Sequence, residues 1–195
     1  MEDKRKNLYY LIAFAILSIL IWHVPAGNYI IYPLTIISTW FHEMAHGITA
    51  MLLGGQFQYI EIFPDGSGLA TFSGSLYLGN FGRALVAASG PLVPTLVGIG
   101  LIIATKNAKI TKYLLPLFAC LMFLSVFLFI RDILGIIIML LISFILFYIS
   151  FQMNIKWKLF TLQLIGIQAC LSLYMNIEYL FMKGMVVGGR QYLSD

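Results

Sequence analysis

Two histidines four residues apart, His42 and His46, with Glu43 beside the first, are the residues whose types and spacing could do chemistry. On a helix, positions i and i+4 share a face one turn apart, so both imidazoles can be presented to one metal ion. Zinc suits such a pair. It lowers the pKa of a water to about 7 and polarises a carbonyl, and Glu43 stands where the general base for that water would stand. The chain has three histidines, and two of them fall in this run, His42-Glu43-Met44-Ala45-His46. The bland account is a buried polar network tying helices together, but that account requires no particular spacing.

A catalytic zinc takes three protein ligands and keeps one open position. The acidic residues are few: Glu2, Asp3, Glu43, Glu61, Asp65, Asp132, Glu178 and Asp195. Away from the motif, only Asp132 and Glu178 lie in or beside apolar segments. Asp132 is the first candidate for the third ligand, because Glu178 lies nearer a membrane edge. The plain readings are an ion pair with Arg131 for Asp132 and snorkelling near Lys183 for Glu178. His23, beside Trp22 and before Pro25, reads as an interfacial residue outside the site. Cys120 and Cys170 sit in apolar runs and read as small core hydrophobes.

The elements that must position these groups follow from composition. Of the 195 residues 61% are hydrophobic and 10% charged, against about 25% charged in a soluble domain. So few charges cannot cover a surface in water, which points to an integral membrane protein folded as one domain, 1–195. Basic residues flank apolar runs and form no stripe interleaved with aromatics, so nucleic acid is not an expected partner. Apolar segments run over 8–24, 29–53, 81–105, 113–130, 133–151 and 157–182. They predict an all-α polytopic protein of about six transmembrane helices. The first reads as a retained span, not a cleaved signal. Only Arg131-Asp132 separates the fourth from the fifth, little room for a turn. Between the second and third, Gln56 to Phe63 is β-branched and aromatic, and Pro64-Asp65-Gly66-Ser67-Gly68 is a dense turn signal. Residues 56–73 therefore predict one β-hairpin, the only strand-like element, whose edges must face water, a cavity or another peptide. Counting lysines and arginines near span ends favours a multi-pass protein of the cell membrane with its N-terminus inside, chiefly through Lys4-Arg5-Lys6.

Phe41-His42-Glu43-Met44-Ala45-His46-Gly47, then Leu53-Gly54-Gly55, then Ile62-Phe63-Pro64-Asp65-Gly66-Ser67-Gly68 resemble the site-2 protease family of intramembrane zinc metalloproteases, particularly small members without a PDZ domain. Ser89-Gly90-Pro91-Leu92 is similar to a small-Gly-Pro stretch of a following span in that family. The resemblance implies a zinc metalloendopeptidase holding one Zn2+ per chain, with ligands His42 and His46 and base Glu43. It also implies a third ligand from an Asp of a later span, which favours Asp132, although Ile-Leu-Gly follows Asp132 where the family has Gly directly. The implied substrate is a transmembrane protein or peptide that unwinds near the ion, held along the hairpin edge by added strand pairing. Thr39, Thr49 and Asn80 are candidates to line a water path. Two rivals share the same residues: an inactive relative serving as a scaffold, and a metal-binding carrier that has no chemical use for Glu43.

Overall fold

The computed structural model describes residues 2–24, 27–181, 185–187 and 190–192. Six helices and four strands follow in order: α1 (Glu2–Trp22), α2 (Gly27–Leu52), β1 (Gln56–Ile62), β2 (Gly68–Ser73), α3 (Gly79–Ala104), α4 (Ala108–Leu128), α5 (Ile133–Gln152), α6 (Ile155–Phe181), β3 (Met185–Val187) and β4 (Arg190–Tyr192). Each helix coincides with one apolar segment of the sequence. Where a segment ends, polar residues start the next helix: Asn107 accepts from Lys109 N–H (2.9 Å) at α4 and Asn154 from Lys156 N–H (3.1 Å) at α6. Both satisfy donors that have no partner within the helix.

Among the described residues, three helices are long and apolar enough to cross a bilayer: α3, α4 and α5, of 26, 21 and 20 residues. At about 1.5 Å per residue they run about 30–39 Å, against about 30 Å of hydrocarbon. They expose Leu96, Leu117, Phe127, Ile137 and Phe144. Water does not tolerate such continuous apolar faces and lipid does, so this is a membrane protein.

The core lies where α2, β1, α4, α5 and α6 meet, around Ile36, Trp40, Ile60, Met122, Met139 and Ile165. The polar atom that Trp40 carries into it is satisfied, because its indole N–H donates to Ser125 Oγ (2.8 Å).

The hairpin forms over the expected residues. β1 and β2 pair antiparallel, with Ile60 opposite Ala70 and Ile62 opposite Gly68. It folds back along α2. The Phe57 ring packs at Gly47, Gly68 lies against Thr39 and Glu43, and Gly66 lies against Thr35. Thr39 Oγ1 donates to the Gly66 carbonyl (2.6 Å), fastening the tip to the helix. The outer edge of β1 is closed by the α4–α5 junction: Ile60 N–H donates to Phe129 O (2.8 Å) and Arg131 N–H to Ile60 O (3.2 Å). The strand order is therefore junction, β1, β2, and among the described residues no further strand pairs with the other edge of β2.

Two expectations are corrected. The hairpin is not the only strand-like element, since β3 pairs antiparallel with β4. Cys120 is exposed on α4 and not a core residue, while Cys170 is half-buried on α6. Lys183 lies outside the described residues, as does the Glu178 side chain, although Glu178 itself is on α6.

Candidate functional site

α2 presents Thr35, Ser38, Thr39, His42, Glu43 and His46 at helical spacing along one wall of a cavity of about 720 Å3. α3 forms the opposite wall with Arg83, Val86, Ala87 and Pro91, and Asp65 to Ala70 and Phe72 of the hairpin close a third side.

The imidazoles of His42 and His46 converge, with Nε2 atoms 3.0 Å apart. His46 Nδ1 lies 2.7 Å from the Val86 carbonyl on α3. A carbonyl only accepts, so in the neutral ring Nδ1 carries the hydrogen and Nε2 keeps its lone pair. A carbonyl holding the far nitrogen is how metal-binding imidazoles are oriented. His42 hydrogen-bonds the backbone of Gly90. The sequence prepares that acceptor: Pro94, four residues on, has no N–H, so the Gly90 carbonyl lacks its helical partner. Gly90 must also be glycine for space, because a Cβ there would overlap Nε2 of both histidines. Ser89 Oγ lies within donating distance of Val86 O (2.6 Å) and Ala45 O (3.1 Å), holding α3 against α2.

Glu43 is buried, with 7% of its surface exposed. The backbone of Ala70 hydrogen-bonds its carboxyl group. Ala70 faces away from β1, on the open edge of β2, so the carboxylate and the free strand edge meet in the same cleft. Gly68 allows the approach, since a Cβ there would lie 2.8 Å from Glu43 Cγ.

The pair fits two ligands of a zinc ion. Two nitrogens about 2.0–2.1 Å from one ion lie about 3.3 Å apart at the tetrahedral angle, close to the observed separation. Among the described residues, no group of three His, Cys, Asp or Glu side chains is placed to hold an ion. Asp132 is not brought to the pair. Its Oδ1 accepts from Ile62 N–H of β1 (2.9 Å), and its Oδ2 accepts from Gly135 N–H as the N-cap of α5.

Residues 10–195 match the family described as Peptidase M50B-like. The chain belongs to that family, a branch of the site-2 proteases. No curated protein and no solved structure matches it. The family match supports a membrane protease, in agreement with the resemblance of residues 40–95 to the same family.

In this M50B-like chain the remaining candidates scatter. Thr39 lines the main cavity, Asn80 lines a smaller neighbouring one, and Thr49 lines neither. His23 is exposed on the last turn after α1, its Nδ1 2.8 Å from Ile19 O, apart from the site. Sequence reasoning missed the Val86 carbonyl, the Ala70 amide and Arg83. The first two are backbone groups that any residue type supplies. A signal for the α3 wall did exist in Ser89-Gly90-Pro91 and Pro94, where a glycine too small to fill its place precedes prolines that free carbonyls.

Proposed function

We propose that this M50B-like chain is an intramembrane zinc metalloendopeptidase that hydrolyses peptide bonds in or near transmembrane segments. The observation that carries the reading is the convergence of His42 and His46 Nε2, with the His46 tautomer set by Val86 O, in a cleft that also holds Glu43 and a free strand edge. His42 and His46 would hold one zinc ion. When bound, it supplies Lewis acidity to a water and to the peptide carbonyl. An extended substrate backbone pairs with the open edge of β2, which takes over the Ala70 amide and releases the Glu43 carboxylate. Glu43 Oε then takes a proton from the water and delivers it to the leaving amine.

The arrangement in the bilayer is part of the proposal: one domain over 1–195, six spans, and the N-terminus inside in the cell membrane. His46 then sits six residues before Leu52, about 9 Å along α2 from its inner end. The test uses purified protein in vesicles with a transmembrane reporter peptide. Cleavage should stop on treatment with a zinc chelator and return with added zinc. Cleavage that survives complete removal of metal would overturn the reading.

A further inference from the structure

Arg83 is the one lysine or arginine among the residues that line either cavity, and it lines both. The second cavity, about 560 Å3, adjoins the first through Phe72 and Arg83 and is otherwise walled by Gly74, Ser75, Leu76, Gly79 and Asn80. Arg83 lies three residues before Val86 on α3, about 4.5 Å along the axis, on the same wall that holds His46. Among the described residues its guanidinium makes no hydrogen bond or ion pair. The other arginine with a described side chain differs: Arg131 donates to the Phe127, Leu128 and Ile130 carbonyls, so its charge is used within the chain. Arg83 is exposed on the cavity wall and so accessible to a ligand, and a guanidinium fork matches the two oxygens of a carboxylate.

We propose that Arg83 is a specificity-determining residue that binds a carboxylate of the substrate. The carboxylate lies about three residues from the scissile bond, toward the end of the cleft where α2 ends and α3 begins. The span follows from Gly90, against which both histidine Nε2 atoms lie: it is seven residues beyond Arg83 on α3, about 10.5 Å along the axis, or about three residues of extended chain at about 3.3 Å each. The carboxylate is either an acidic side chain or the C-terminus left by an earlier cut. At the far end of the main cavity stands Asp65, so the cleft is cationic at one end and anionic at the other. This rests on the reading of the cleft as the substrate channel.

The test separates binding from turnover. Full-length Glu43→Gln protein in phosphatidylcholine vesicles carries a fluorescence donor. The probes are apolar helical peptides with a central Gly-Pro break, an acceptor dye, and Glu, Gln or Lys three residues to one side of the break or the other. On one side, the Glu peptide should bind about tenfold more tightly than the Gln peptide, as expected for hydrogen bonds to a charged group. Arg83→Gln should remove the preference, and Arg83→Glu should transfer it to Lys. Unchanged zinc content in these variants shows that the His pair is intact. Peptides ending at that position, with free or amidated C-termini, distinguish the two sources of the carboxylate, and either preference supports the proposal. Equal affinities throughout, a preference that persists in Arg83→Gln, or one erased by anionic phosphatidylglycerol would overturn it. If wild-type protein cuts no peptide but the Arg83-dependent preference holds, the proteolytic reading fails and the carboxylate site stands.

Discussion

Among the described side chains, two places set carboxyl groups among apolar elements, and they differ in how those groups are used. At the α4–α5 junction every strong group is spent. Asp132 accepts from Ile62 and Gly135, and Arg131 caps the end of α4 with its own guanidinium. In the cleft between α2, α3 and β2, groups converge on open space. Two imidazole nitrogens face each other, Glu43 lies on a strand edge, and Arg83 makes no hydrogen bond or ion pair among the described residues. A saturated carboxylate holds elements together, as Asp132 holds β1 to α5. In the cleft the chain's own partners are backbone groups, the Val86 and Gly90 carbonyls for the histidines and the Ala70 amide for Glu43, and the side chains line a cavity. The junction also closes the outer edge of β1, so the strand pairing that the proposed function requires falls to β2.

The comparison can be broken most forcefully at the histidines. His42→Ala or His46→Ala should reduce bound zinc from one per chain to a small fraction and lower cleavage to background, measured by elemental analysis and peptide cleavage. Retention of zinc in both would remove the cleft's claim to be the metal site. Next comes Gly90→Ala, whose methyl would push the imidazoles aside. Zinc affinity and cleavage should fall together by about 10–100-fold, the scale of lost orienting contacts around a metal.

Asp132 sharpens the contrast. Asp132→Ala strands the Ile62 and Gly135 amides and should cost about 1–3 kcal/mol of stability while zinc stays bound. Asp132→Asn keeps a cap and should cost less. If Asp132→Asn instead loses zinc at unchanged stability, Asp132 is the third ligand that the family resemblance implies. Loss of zinc only in Glu178→Gln assigns that role to Glu178. The smallest effect is expected from Thr39→Val, which frees the hairpin tip from α2. It should cost about 1 kcal/mol and loosen hydrogen exchange at residues 64–67 with zinc content unchanged.

Much of the fold could be read from the chain, because lipid imposes one rule on every span: backbone polar groups must be satisfied internally. Hydropathy placed the second segment at 29–53 and the helix runs from Gly27 to Leu52. The turn residues Pro64 to Gly68 marked a hairpin that forms where expected. The His pair and Glu43 were legible because helical spacing alone brings them together. What could not be read depends on contacts between distant residues. Nothing local in Phe-Ile-Arg-Asp-Ile says that Asp132 accepts from Ile62, 70 positions away. Nothing local in the hairpin says which edge is left open. The short β3–β4 pairing escaped notice because three-residue strands leave too little pattern for alternation to show.

The central claim is that the cleft is hydrolytic and that Glu43 moves the proton. The most direct measurement is cleavage of a transmembrane reporter by Glu43→Gln protein loaded with as much zinc as the wild type. The account predicts equal zinc and a cleavage rate lower by about 10²–10⁴-fold. A variant that holds zinc and cleaves as fast as the wild type would contradict it.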